Sequence, residues 1–132
     1  MRINPPTKIY ISESPIHGLG VFASKEILEG EIIEECSLID LGLVRGEVSS
    51  TLIDYRFNWP QGTSEWMNQV IPTGYGGLYN HSNTPNAGWR SNFNNSTFEF
   101  FAIKNINPEE EIFVWYGDVN YWNDGRNHTN VI

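Results

Sequence analysis

"GGLYNHSNTPN", residues 76–86, places Asn80, His81 and Ser82 directly after an apolar pair, Leu78 and Tyr79, and closes on a Pro85-Asn86 turn. Connecting segments run over the surface and are polar for that reason. Polarity alone therefore describes a capped turn as well as it describes one wall of a site. What stands before and after this stretch has to separate the two readings.

Before it comes "HGLG", His17 to Gly20, leading into the apolar run Val21 to Ala23. Two glycines around one residue let a backbone pass close to a ligand. The run lacks the third glycine and the following helix of a dinucleotide fingerprint, and by itself it reads first as a tight turn. After it comes "FVWYGDVNYW", Phe113 to Trp122. At strand spacing, Phe113 and Trp115 face one way and Val114 and Tyr116 the other. Gly117 then turns the chain and sends Tyr121 and Trp122 back towards the strand end. Rings so placed either pack in a core or line a pocket mouth.

Composition narrows the classes. A chain of 132 residues is one domain on size grounds, 1–132, with ends at 1–7 and 124–132 expected to be flexible. Its 39% hydrophobic content supports a core and argues against a disordered tail. The net charge of −8 opposes direct nucleic-acid binding and suits a basic partner such as a Lys-rich peptide, although solubility alone would also explain it. The single cysteine, Cys36, has no internal disulfide partner and no second cysteine for a zinc site. Its place in "EIIEECSLIDL" reads as buried. The N-terminus lacks a signal-peptide core and no apolar run is long enough to span a membrane. The expectation is a soluble intracellular protein without membrane contact. There is no G-x-S-x-G elbow and no H-x-x-x-H spacing, so neither a serine hydrolase nor a metal centre is indicated.

Short β-type runs follow one another along the chain. "KIYIS" and Val21–Ala23 read as strands, with Gly30 in a tight turn after them. "EIIEECSLID" reads as one longer strand, "STLIDYRFNW" as a short helix or a strand, and "EWMNQVIP" as a strand ended by Pro72. "SNFNNSTFEFFAI" reads as a hairpin with Asn94 and Asn95 taking the positive φ of its turn, and Ile112–Tyr116 as a buried strand. No stretch keeps clean helical periodicity over three turns. The class is mostly β, built of many short strands.

Taken together and in this order, "HGLGVFA", "YNHSNTPN" and "EEEIFVWYG" resemble the SET domain of protein lysine methyltransferases, over about Lys8 to Trp122. In size the chain looks most like the short viral SET proteins. The resemblance implies a β-clip-like fold with a C-terminal pseudoknot and S-adenosylmethionine as cofactor. It implies that Gly18, Leu19 and Gly20 lie along the cofactor, that Asn80 and His81 bond its amino group and adenine, and that Trp122 stacks on the adenine. Tyr116 matches the catalytic tyrosine, and Tyr55 and Tyr121 resemble members of the ring-lined lysine channel. The implied substrate is a lysine in a basic protein. A histone tail is the family default, with nuclear localisation in that case, and short members of the family can pair as homodimers.

Two letters depart from the family pattern. Asn83 stands where the family often has Cys, and Glu109 where it has the Gly of G-E-E. The Cys-rich zinc module that follows many SET domains is not expected here, and its task of closing the channel would then fall to "DVNYWNDGRN". The competing readings are a SET-like module that binds lysine or methyl-lysine without turnover, and a sugar-binding β domain. Asn80-His81 together with Tyr116 favours the enzyme. Methyl transfer from a sulfonium to an amine needs alignment and a deprotonated lysine rather than a metal or a covalent intermediate.

Overall fold

Period-two alternation is clearest in β9, Thr97–Ala102, where Phe98, Phe100 and Ala102 are buried and Glu99 and Phe101 are half-covered between them. The computed structural model describes residues 1–42, 55–60 and 68–116. Among these residues the chain forms ten strands in three small sheets. The first sheet holds β1 (Ile9–Glu13), β2 (Leu19–Ala23), β10 (Glu111–Val114) and β7 (Asn80–His81), in the order β1-β2-β10-β7. The second is β3 (Ile32–Cys36), β9 and β8 (Ala87–Asn92), and the third is β4 (Leu38–Gly42), β6 (Asn68–Pro72) and β5 (Phe57–Trp59).

One core joins them. Val21, Ile112 and Val114 from the first sheet meet Ile33, Cys36, Phe98 and Phe100 from the second and Val70 from the third. The isolated bridge between Ile27 and Ile106 adds two fully buried side chains. Rings fill the middle. Tyr79 stacks on Phe100 with centroids 4.4 Å apart, and Phe57 meets Trp89 edge-on at 5.3 Å. Aromatic pairs at these separations contribute about 0.5–1.5 kcal/mol each beyond their burial.

The mostly-β expectation holds, with three local differences. "EIIEECSLID" breaks at Ser37 into β3 and β4, which pair with different partners, β9 and β6. Ser37 is the pivot. Its carbonyl accepts from the Thr73 amide at 2.9 Å and its hydroxyl lies 2.7 Å from that of Thr73. The second difference lies in the β8–β9 hairpin, where the positive φ falls on Ser96 rather than on Asn94 or Asn95. Asn92 is the reason: its side-chain oxygen accepts both the Asn94 and Asn95 amides, which closes an Asx turn and holds those two residues short of the left-handed region. Third, the last strand ends at Val114, so Trp115 and Tyr116 lie just beyond it. Of "STLIDYRFNW", Phe57–Trp59 are strand, while residues 50–54 lie outside the described residues.

Glu109, at the family's glycine position, has φ +70. That is left-handed backbone, which disfavours every residue with a Cβ. Its amide is committed to the Ala23 carbonyl at 2.7 Å, and its carboxylate accepts from the Tyr10 hydroxyl. Glu109→Gly is therefore expected to melt higher than Glu109→Ala by about 3 °C or more. Thermal unfolding of the two variants side by side checks this.

Candidate active site

The site begins with a two-residue parallel pairing. Asn80 lies opposite Phe113 and His81 opposite Val114. Parallel ladders are slanted and weak when so short, and side chains reinforce this one. Asn86, which is buried, donates to the Glu111 carbonyl at 3.0 Å and accepts from the Phe113 amide at 2.8 Å. Its side chain thus occupies the place of a strand neighbour along β10. The Pro85-Asn86 turn does more than bend the chain, because it clamps the strand that leads to Tyr116.

Asn80 is also buried. Its amide nitrogen sits 3.1 Å from the His17 carbonyl, 3.2 Å from the Leu19 carbonyl and 2.9 Å from a Glu111 carboxylate oxygen. Three acceptors around one nitrogen fix which end of the amide is which. The glycine loop is consequently tied to β7, and the Asn80 oxygen points away from those three acceptors. The other Glu111 oxygen accepts from the Ser14 hydroxyl at 2.8 Å. Gly18 has φ +48 with open space where a Cβ would stand, whereas a Cβ on Gly20 would collide with the Glu111 carboxylate and come within 3.1 Å of the Asn80 nitrogen. One glycine is needed for conformation and the other for close approach.

His81 ties the second half of the site together. Its Nδ1 accepts from the Tyr116 amide at 2.9 Å, and its Nε2 lies 3.0 Å from the Asn83 side-chain oxygen. An amide N–H can only donate, so Nδ1 carries the lone pair and Nε2 the proton. Asn83, the departure from the family pattern, thus selects the tautomer that holds Tyr116. The Tyr116 hydroxyl in turn donates to the Tyr79 carbonyl at 2.6 Å, and its ring lies 5.3 Å from that of His81.

The structure therefore gathers Gly18, Leu19, Gly20, Asn80, His81 and Tyr116, which the sequence left in three separate segments. Tyr55 is 44% exposed, and its ring edge lies 3.3 Å from where a Gly77 Cβ would stand, beside the loop entering β7. Tyr121 and Trp122 lie outside the described residues. Sequence reasoning missed Asn86, Glu111 and the Tyr79 carbonyl. The first two belong to the recurring "YNHSNTPN" and "EEEI" strings and were traceable there, but a backbone carbonyl leaves no signal in a sequence.

A test of cofactor fit rests on Asn80. With its nitrogen spent on the glycine loop, the amide presents an acceptor, and an acceptor is what an amino group such as that of S-adenosylmethionine requires. Gly18, with φ +48 and open space where a Cβ would stand, offers an open strip beside it. The residues present fit such a cofactor.

A short mostly-β chain in which a glycine loop, an Asn-His pair and a strand-terminal tyrosine meet defines a SET-type site. The family model described as SET domain matches residues 18–117, and the chain belongs to that family. A histone-lysine N-methyltransferase of Schizosaccharomyces pombe, described as specific for histone H3 lysine-37, is 26% identical over 117 residues, covering 86% of this chain and 76% of its own. A Plasmodium falciparum crystal structure, provisionally assigned as a histone methyltransferase, is 35% identical with a TM-score of 0.69, covering 84% of this chain and 98% of that one. The Neurospora SET domain protein DIM-5, a histone lysine methyltransferase, shares the fold at a TM-score of 0.64 and 16% identity, over 83% of this chain and 52% of that one. These similarities support the family and do not reach the narrower likeness to short viral members.

Burial holds the His81 imidazole below its ordinary value of 6.5, against the Asn83 bond, which acts the other way. A histidine with a lowered folded pKa leaves the unfolded chain binding more protons, so its contribution to stability is present above pH 6.5 and is lost as pH falls through the folded value. Protonation would also place a hydrogen on Nδ1, facing the Tyr116 amide. Stability is expected to decline between pH 7 and pH 5, in step with the His81 titration followed by NMR. A flat stability profile across that window would contradict the assignment.

Proposed function

We propose that this chain is a protein-lysine N-methyltransferase that uses S-adenosylmethionine. The observation that carries the reading is the Tyr116 hydroxyl held on the Tyr79 carbonyl, one residue before Asn80, whose side chain grips the glycine loop. The names of the relatives support the same activity class. When bound, the cofactor supplies an electrophilic methyl group on a sulfonium. Gly18, Leu19 and Gly20 would lie along it, with the Asn80 oxygen on its amino group. His81 would border its adenine, and Trp122 would stack on that base.

The chain's own residues do the rest. Tyr116 spends its proton on the Tyr79 carbonyl, which leaves its oxygen lone pairs and that carbonyl as acceptors on one side of the site. Such acceptors suit an amine that has to be aimed along one line. Orientation of this kind can supply a large share of a displacement's acceleration. A free lysine has a pKa of about 10.4 and is charged at neutral pH. Ring walls that exclude water disfavour the ammonium, and a neighbouring sulfonium disfavours it further. Tyr55 and Tyr121 would form such walls, and they would also attract a methylated ammonium by cation–π contact. The net charge of −8 suits a basic protein substrate, with a histone tail as the first candidate and the nucleus as the corresponding compartment.

Tyr116→Phe is expected to lower kcat at least ~100-fold, the scale seen when one positioned hydroxyl or amide is removed from a reacting centre. Labelled cofactor incubated with histone tails and cell lysate measures this. Folded wild-type protein that transfers no label to any substrate would overturn the enzyme reading. If it still bound methyl-lysine peptides, it would be a binding module instead. Asn80→Ala is expected to weaken cofactor binding about tenfold or more in calorimetry, as befits a hydrogen bond to a charged group. Peptide affinity should change less.

A further inference from the structure

Glu34 is a glutamate in the interior. It is 3% exposed, and its neighbour Ile33 is buried as well, at 4%. Consecutive strand residues ordinarily face opposite ways. Here the register slips: Ile32 pairs with Phe101 and Glu34 with Phe100, so Ile33 is the extra residue of a β-bulge. The bulge turns both side chains inward, the usual effect of a bulge that re-aims a residue.

A buried carboxylate is costly unless it is hydrogen-bonded, and Glu34 is bonded at both oxygens. One accepts from the Tyr79 hydroxyl at 2.7 Å and the other from the Tyr75 amide at 2.8 Å. The approach is tight. A Cβ on Gly74 would collide with the Glu34 carboxylate, and one on Gly76 would come within 3.0 Å of the Cys36 sulfur and 2.7 Å of Pro72. The loop that enters β7 is thereby pressed onto Glu34. Burial pushes the Tyr79 phenol well up, so it keeps its proton as a donor, and burial also raises the Glu34 carboxyl. The Tyr79 ring is stacked on Phe100 along its face and bonded to Glu34 at its tip. Its backbone carbonyl is the acceptor of the Tyr116 hydroxyl.

We propose that Glu34 is a positioning residue for Tyr116. It holds the loop and the ring of Tyr79, and these together set where the Tyr79 carbonyl meets the Tyr116 hydroxyl. A core that needed only stability would be served as well by apolar side chains of the same volume, because buried ionisable groups seldom outperform them. What the carboxylate adds is a fixed distance from the bulge in β3 to the carbonyl before Asn80.

The kinetic arm of the test rests on the methyltransferase reading, and the spectroscopic arm does not. Tyr79→Phe keeps the ring and removes only the bond to Glu34. Glu34→Gln keeps the shape but has one oxygen for two donors. Both are compared with Glu35→Gln, whose carboxylate serves the Asn95 amide and the Thr97 hydroxyl instead. Tyrosine labelled at the ring carbon bearing oxygen reports the Tyr116 hydroxyl by NMR, with its signal assigned through Tyr116→Phe. We expect that signal to move in Tyr79→Phe and Glu34→Gln but not in Glu35→Gln. In the same two variants kcat per folded molecule should fall about tenfold or more with the KM for peptide little changed. A Tyr116 signal and kcat equal to wild type in folded Tyr79→Phe and Glu34→Gln would overturn the proposal. A moved signal in a protein that transfers no methyl would uphold the positioning role and remove the methyltransferase reading.

Discussion

The parallel pairing of Asn80-His81 with Phe113-Val114 is the constraint on which the site depends. Two residue pairs supply few hydrogen bonds, and such a ladder would not persist alone. Polar side chains on both sides make up the difference. Asn86 satisfies the backbone of β10 on one flank, and Asn80 reaches across to the glycine loop and Glu111 on the other. Tyr116 follows two residues after the pairing ends, and its placement is inherited from it. His81 then catches its amide and Tyr79 its hydroxyl, so the tyrosine is held at both ends of the residue.

Polar groups inside this small β domain are consequently concentrated where positions matter. Among the described residues Glu34, Asn80, His81, Ser82 and Asn86 are buried at or behind the site, and only Gln69 and Thr97 are buried polar side chains away from it. The Asn-His pair, Glu34 and Asn86 each join two different segments of the chain through their hydrogen bonds. The thiol of Cys36, close by, is raised strongly by burial and by Glu34, which leaves it a protonated packing group. Asn83 belongs to the same set. Where relatives of the common pattern carry cysteine, this chain has an amide that orients an imidazole, so the substitution changes what the position does without removing its link to the site.

The sequence made part of this legible. The glycine loop, the Asn-His pair and the strand-terminal tyrosine could be named because each has a distinctive local string and all three occur in order. Cys36 could be read as buried from its apolar neighbours. Strand alternation hides the rest. Counted from a buried Ile33 it would turn Glu34 outward, and only the bulge, a feature of pairing with a distant strand, brings Glu34 inward beside it. The break at Ser37 is likewise decided by partners, since β3 and β4 are chemically one run until β9 and β6 claim their halves. The positive φ at Ser96 follows from the reach of the Asn92 side chain, which composition of the turn does not reveal.

The bonds that define the site join residues far apart in the chain. Asn80 and His17 are 63 positions apart, Tyr116 and His81 are 35, and Glu111 and Ser14 are 97. Each closes a long loop, whose entropy has to be met before the contact stabilises anything. Chains dominated by such contacts fold slowly compared with those built on local turns. A partly folded molecule could hold the β8–β9 hairpin, which is local, and still possess no fragment of the catalytic arrangement. Competence to act and completion of the fold thus become the same event, and the tyrosine comes into register only when β10 has met β2 on one side and β7 on the other.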